Sequence, residues 1–271
     1  MADARRDSRS WLDITGTRRI GAPLVLIAIL LVLWELAARL GDLPAYILPA
    51  PSQIVRAAIE ARTLLGQHIL QTAQETLWGF ALALLVGLGL GFLIDRSPWA
   101  RNALYPLLVV SQTIPTIAIA PLLVIWLGYG IWPKIIVVGL VCFFPIVVNT
   151  VDGLRAADPE QIALLRTMGA TPRDILLKVR LPGALPMVLA GIKIGITYSV
   201  VGAILGEWVG GSHGLGIFML RATNAFRTDW VFASIGITAI LSLLLFGIVL
   251  LLERILLRWR FVSGAENWQE L

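Results

Sequence analysis

The chain is poor in charge. Of its 271 residues, 14% are Asp, Glu, Lys or Arg, against 58% that are hydrophobic. A soluble domain of this length needs far more charge to cover its surface. The composition excludes one and points to an integral membrane protein, with a mean hydropathy of +0.83. Cysteine is nearly absent. Cys142 stands alone in an apolar run, which excludes an intrachain disulfide and suits buried packing. His68 and His213 are the two histidines, far apart in sequence, and they offer no Cys/His cluster for a metal. Each reads as an interfacial residue. There is no G-x-x-x-x-G-K-[ST] phosphate loop, nucleophile elbow, H-E-x-x-H or dinucleotide fingerprint. By motif the chain hydrolyses no nucleotide and is not expected to be an enzyme. The net charge of +5 comes with no basic helix interleaved with aromatics, so nucleic acid is not the expected partner. Lys and Arg gathered on the cytoplasmic side of a membrane explain it better.

Six apolar segments are long enough to span a bilayer, roughly 22–41, 69–94, 104–127, 132–151, 185–208 and 231–253. The first lacks a small-residue cleavage site and reads as an anchor. Pro115 and Pro121 fall in the third and Pro145 in the fourth; spans tolerate them where neighbours satisfy the freed backbone. With the N-terminus cytoplasmic, fifteen Lys and Arg fall inside, among them Arg5, Arg6, Arg9, Arg18, Arg19, Arg173 and Arg260. Six fall outside: Arg39, Arg56, Arg62, Lys134, Arg221 and Arg227. That asymmetry orients the chain with both termini cytoplasmic. The tryptophans, among them Trp11, Trp208 and Trp259, mostly fall at span ends, as an aromatic belt would place them.

On the outer side, Leu48-Pro49-Ala50-Pro51 reads as a rigid turn, followed by a short helix over 53–61 capped by Ser52. The glycine run Gly210-Gly211-Ser212-His213-Gly214-Leu215-Gly216 reads as a tight outer turn and not a phosphate cradle. Small residues recur every fourth position at Gly79, Ala83, Gly87 and Gly91, and again at Gly191, Gly195, Ser199 and Ala203, with Gly202, Gly206 and Gly210 offset by a residue or so. Such stripes let helices approach closely in lipid, which marks these two spans as central.

Polar residues within spans are costly and are functional candidates by default. They are Glu75, Gln112, Thr113, Asn149 and Glu207, with Glu35 and Asp95 near enough to span ends for solvent to be the simplest partner. The bland reading is a bond to a neighbouring helix or to interfacial water.

The most informative polar stretch lies between the fourth and fifth spans. Asp158 is placed as an N-cap with Pro159 at the first helical position and Gln161 three residues on. Gly169 is placed to end that helix at positive φ. Thr171 then restarts the pattern, with Pro172 first and Asp174 three after the cap. The result is two short helices on a glycine elbow, a hook suited to gripping something outside the membrane.

These residues resemble the membrane-spanning subunits of bacterial ABC-type importers. The family signature is E-A-A-x-x-x-G, nine residues, then I-x-L-P. Gly169 matches the glycine, and Val179-Arg180-Leu181-Pro182 matches the tail. The E-A-A triplet falls on Ala163-Leu164-Leu165 and is absent, with Glu160 one turn earlier. The resemblance covers about 22–260. Within the family it is similar to the branch serving sulfonates, taurine, nitrate and pyrimidine-type thiamine precursors. The matching pieces are Leu48-Pro49-Ala50-Pro51, Gln112-Thr113-Ile114-Pro115, Ala120-Pro121-Leu122, Trp126-Leu127-Gly128-Tyr129-Gly130, Gly206-Glu207-Trp208 and Gly214-Leu215-Gly216. The Gln-Thr-Ile-Pro and Gly-Glu-Trp pieces look most like pyrimidine-precursor and riboflavin-like members.

The resemblance implies an all-α integral membrane fold of six transmembrane helices, of the type I importer permease kind. It implies a cytoplasmic tail over 1–21, a permease domain over 22–260 with a coupling loop at about 153–183, and a cytoplasmic tail over 261–271. It further implies a homodimer in the bacterial inner membrane, with two ATPase subunits below and a periplasmic solute-binding protein above. ATP and Mg would bind the ATPase partner and no cofactor this chain. ATPase coupling would fall on Glu160, Ala163, Leu164, Arg166, Gly169, Ala170, Thr171, Pro172 and Pro182, and the pathway on Gln112, Thr113, Pro115, Asn149 and Glu207. The competing class is an ion-coupled secondary transporter, which expects paired acids or a His relay at mid-membrane. Glu75 and Glu207 lie towards outer span ends with no partner evident in the sequence.

Overall fold

The computed structural model describes residues 10–41, 44 and 46–258, with backbone alone for 10–20. Arg5, Arg6, Arg9, Trp259, Arg260 and the tail over 261–271 lie outside the described residues, as do the side chains of Trp11, Arg18 and Arg19. Regular structure among the described residues is helical: α1 (Ser10–Leu40), α2 (Pro51–Glu60), α3 (Arg62–Arg96), α4 (Pro98–Ser111), α5 (Thr116–Leu127) and α6 (Trp132–Arg155) come first. Then follow α7 (Pro159–Thr167), α8 (Pro172–Ile175), α9 (Leu181–Gly210), α10 (Leu215–Asn224) and α11 (Thr228–Leu256). A π-helical stretch, Leu176–Arg180, joins α8 to α9, so that helix runs for 39 residues over Pro172–Gly210. Helices are forced on such sequences because lipid offers no partner to a backbone N–H or C=O.

Five of the six expected spans are single long helices. The third is not: α4 and α5 meet at a 99° bend. Pro115, which has no N–H to continue the ladder, is the N-cap of α5, and Gln112 is the C-cap of α4. Side chains and tighter backbone bonds take up the carbonyls at the break: Ser111 Oγ donates to Leu108 O at 2.7 Å, and Val110 O accepts both the Thr113 N–H at 3.0 Å and the Thr113 hydroxyl at 2.7 Å.

The chain divides into two compact units. The smaller holds the residues up to Arg62 together with Ala222–Ala233. Within it α2 begins two residues earlier than expected, and its N-cap is Ala50, not Ser52. Gln53 Oε1 accepts from the Ala50 N–H at 3.0 Å, which does a cap's work from inside the helix. Ser52 instead donates its hydroxyl and N–H to Glu35 at 2.7 and 3.0 Å, and Arg39 Nε donates to Glu35 at 2.5 Å. Glu35 therefore has protein partners where solvent was expected.

In the larger unit α6 lies between α3 and α9, and both small-residue stripes face it. A Cβ on Gly87 would meet Ile146 Cγ2 at 2.8 Å, and one on Gly206 would meet Lys134 Cα at 3.2 Å. The stripes thus bring two helices onto one within a single subunit. Val138, Cys142, Ile146 and Ala203 form the buried centre of this sandwich, and the Cys142 thiol donates to Gly195 O at 3.1 Å.

Candidate functional site

The hook is built as its sequence dictates. The Asp158 carboxylate accepts from the Glu160 N–H at 2.8 Å and starts α7. Gly169 has φ +82 and ends it, with Ala170 N donating to Leu165 O at 2.9 Å. Thr171 and Asp174 form a reciprocal capping box that starts α8: Asp174 N donates to Thr171 Oγ1 at 3.2 Å, and Thr171 N to Asp174 Oδ2 at 3.1 Å. Glu160, Ala163, Leu164, Arg166, Thr171, Pro172 and Pro182 are exposed and Ala170 is half-buried. Leu164 and Met168 are 62% and 74% exposed, two apolar side chains on a polar loop that the described residues leave largely uncovered.

Arg180 roots the hook in the helices behind it. Its Nη2 donates to Asp95 at the end of α3 at 2.7 Å, and its Nε donates to Leu154 O at the end of α6 at 3.1 Å. The Asp95 side chain is 7% exposed, so this pair replaces the solvent expected for it. Because α8 continues into α9, the hook is tied to three helices at once.

At the opposite end of α9 lies a buried polar cluster. Lys134, in the first turn of α6, donates to Glu75 of α3 at 2.6 Å, with both side chains no more than 5% exposed. Gln71 Nε2 donates to the same oxygen at 2.7 Å. Glu207, fully buried at the end of α9, accepts from Thr72 Oγ1 at 2.6 Å and from the Gly216 N–H at 2.5 Å. Its carboxylate therefore caps the N-terminus of α10, where orphan N–H groups and the helix dipole favour an anion. Gly214, at φ +126, and Leu215 donate their N–H groups to His68 Nδ1 and Thr72 Oγ1 at 2.9 and 2.8 Å. His68 Nδ1 accepts, so its hydrogen sits on Nε2. The ring centroids of His68 and His213 come to 5.9 Å, and His68 is 2% exposed, a structural group and not an interfacial one.

This cluster corrects several expectations. Glu75 has a partner, Lys134, and Lys134 is a buried half of an ion pair and not an outer surface charge. Glu207 is buried within the subunit, so in this conformation it lines no surface. Of the other residues expected on the pathway, Gln112, Thr113 and Pro115 lie together, exposed, at the α4–α5 break. Asn149 is half-buried in α6, bonded through Nδ2 to Pro145 O at 2.8 Å. The structure does not bring it to the break. One further intramembrane pair escaped the sequence: Lys193 of α9 donates to both oxygens of Glu253 in α11 at 2.8 and 2.9 Å. The signal was present, since a lone Lys and a lone Glu in apolar helices each need a partner.

Comparison with known proteins agrees with this architecture. The model of the family described as "Binding-protein-dependent transport system inner membrane component" matches residues 79–259. The formylaminopyrimidine transport permease protein ThiX of Halalkalibacterium halodurans is 42% identical, over 88% of this chain and 95% of its own. The riboflavin transport system permease protein RibX of Chloroflexus aurantiacus is 38% identical, over 89% and 90%. Among solved structures, an inward-facing form of the MetNI methionine ABC transporter matches with a TM-score of 0.63 at 22% identity, covering 73% of this chain and 98% of that one. That likeness is one of fold. The chain belongs to the binding-protein-dependent transport system inner membrane component family: it is a multi-pass permease subunit of an ABC importer, in a family whose members work with ATPase and solute-binding partners.

Proposed function

We propose that this chain forms, with a second copy of itself, the pathway for a heterocyclic solute of the pyrimidine-precursor or flavin type. Identities of 42% and 38% to the formylaminopyrimidine and riboflavin permeases, against 34% to the putative aliphatic sulfonates permease SsuC of Bacillus subtilis and 28% to the taurine permease TauC of Escherichia coli, favour that class over sulfonates or taurine. Both termini are cytoplasmic in this reading, as the charge asymmetry supports. A periplasmic solute-binding protein delivers the solute from above. ATP and Mg act on ATPase subunits below, and this chain performs no catalysis.

The observation that carries the mechanism is the hook. Its two helices are each capped, the elbow is a glycine at φ +82, and Leu164 and Met168 stand exposed on it. In the proposed cycle these apolar groups seat in the ATPase. Closure of the ATPase pair on ATP pushes the hook as a body. Arg180 passes that displacement to α3 and α6 through Asp95 and Leu154, while α9 receives it directly. The α4–α5 break, with Gln112, Thr113 and Pro115 exposed, is the segment proposed to face the solute.

Purifying the complex with its binding protein and identifying the co-eluting small molecule tests the solute class; a sulfonate or taurine would overturn it. Single cysteines at Arg173 and Ser212, in a Cys142→Ala background, test orientation. An impermeant thiol reagent should reach 212 but not 173 in cells whose outer membrane has been opened. Equal labelling would contradict the topology.

A further inference from the structure

We propose that the cavity behind the hook binds the phosphate group of an anionic phospholipid. This rests on the cytoplasmic placement of the hook proposed above. The cavity holds about 410 Å³, within the range of about 300–1,000 Å³ usual for small-ligand sites. Three arginines line it: Arg155 at the end of α6, Arg166 on α7 and Arg180 at the root of α9. Among the described residues no carboxylate lines it; Asp152, Asp158 and Glu160 belong to the same stretch of chain but lie elsewhere. Arg155 and Arg166 form no ion pair among the described residues, and Arg180 alone is paired, with Asp95. Two guanidinium charges are therefore left uncompensated around one cavity, and they repel unless an anion sits among them.

The cavity lies behind the hook and not on the side proposed to meet the ATPase. Ile162 and Arg166, four residues apart on one face of α7, line it. Leu164, proposed to seat in the ATPase, is two residues from each, about 200° round the helix. A group of the ATPase that reaches Leu164 therefore meets the opposite face. Arg180 is held in place before any ligand arrives. Its Nη2 is bonded to Asp95 at 2.7 Å and its Nε to Leu154 O at 3.1 Å, which leaves Nη1 to donate.

The position and the lining fit a lipid headgroup. Arg155 closes the apolar span Trp132–Arg155, so the cavity stands at the membrane–water boundary, where headgroups lie. Basic pockets at cytoplasmic span ends suit anionic headgroups, because that leaflet carries the negative surface potential. A guanidinium presents paired N–H donors that match two oxygens of a phosphate. Leu154, Ile162 and Ile175 add an apolar wall. That wall suits the glycerol and first acyl carbons of a lipid and offers a free phosphate nothing. A phosphate held there joins Arg166 of the hook to Arg155 and Arg180 of the spans. The hook then moves with α6 and α9 as one body, and the surrounding lipid sets how fully ATPase closure reaches the helices.

The test titrates phosphatidylglycerol into the complete, delipidated complex in detergent and reads bound lipid by native mass spectrometry. Arg155→Gln with Arg166→Gln should weaken binding about tenfold or more. Arg155→Lys with Arg166→Lys keeps the charge and should lose less. Phosphatidylcholine should bind wild type and the Gln variant alike. In nanodiscs, stimulation of ATP hydrolysis by binding protein should be greater in equal parts phosphatidylglycerol and phosphatidylcholine than in phosphatidylcholine alone, and the Gln variant should lose that difference. Equal phosphatidylglycerol affinity of wild type and the Gln variant overturns the site. Inorganic phosphate that displaces the lipid at equal concentration overturns the lipid as its source. A Gln variant that keeps its lipid and sheds its ATPase assigns the arginines to an acidic group of that partner, against the proposal. Outside labelling of a cysteine at Arg173 would overturn the cytoplasmic placement, and the lipid site with it; where that placement holds, the titration alone decides the site.

Discussion

Lys134 and Glu75 form a buried ion pair, 2.6 Å from Nζ to Oε1, that joins the first turn of α6 to the middle of α3. Both side chains are withdrawn from solvent, at 5% and 0% exposure, so each has the other as its charged partner in place of water. Removing one partner leaves the other buried and uncompensated, at a cost of about 3–5 kcal/mol. Lys134→Met should therefore lower the thermal stability of the detergent-solubilised complex sharply. The double variant Glu75→Gln with Lys134→Met removes both charges and should recover most of that loss. A double variant as unstable as the single one would mean that the pair is not what holds this end together.

Glu207 sits beside that pair and caps α10, with Thr72 and Gly216 as donors. Glu207→Leu strands a buried N–H, at about 1–3 kcal/mol. Gly214→Ala should produce the same defect, since its φ is +126 and a Cβ there would fall on the Glu207 carboxyl group. Gln112→Leu, at an exposed break, should leave stability unchanged and reduce uptake. Melting curves and uptake measured on all three separate the roles. Wild-type stability of Glu207→Leu with lost uptake would return that carboxylate to the pathway.

The glycine stripe predicts a contrast between neighbours. Gly87 faces α6, and its added Cβ would crowd Ile146; Gly89, two residues on, would meet nothing within 4 Å. Gly87→Ala should destabilise by about 1–3 kcal/mol through overpacking, while Gly89→Ala should be neutral or better. Equal effects in a detergent melting series would mean that the stripe does not set the α3–α6 spacing.

Much of the hook was legible because its determinants are local. Asp158, Gly169, Thr171 and Asp174 act within three residues of themselves, through caps and a positive φ, so their spacing alone specifies the turn. The stripes were legible as close-packing faces, but not that both would meet α6, since periodicity says which face is narrow and not what lies on it. That each charge in an apolar helix needs a partner was legible, but which partner it takes was not, for the same reason. Glu75 and Lys134 are 59 residues apart, Lys193 and Glu253 60, and Asp95 and Arg180 85. No local rule joins such positions; only the packed helices do. The bend at Pro115 was underestimated, because a proline in a span is compatible with either a kink or a break. The Ser111 hydroxyl on Leu108 O, and the short-range bonds from the Gln112, Thr113 and Ile114 N–H groups to Val109, Val110 and Ser111, made the break tolerable here.

The central claim is that the hook passes ATPase closure to the membrane helices. Gly169→Val tests it most directly. A Cβ at that position meets nothing within 4 Å, so the substitution acts through its φ of +82 alone. The expected strain is about 1–2 kcal/mol or more for a branched residue. That should turn α8 out of register with α7, while α3, α6 and α9 insert and pack as before. In proteoliposomes holding the ATPase and binding protein, the account predicts an assembled complex with weakened ATPase binding, or with hydrolysis that loaded binding protein no longer stimulates. Unchanged ATPase affinity together with wild-type stimulation and uptake would contradict it.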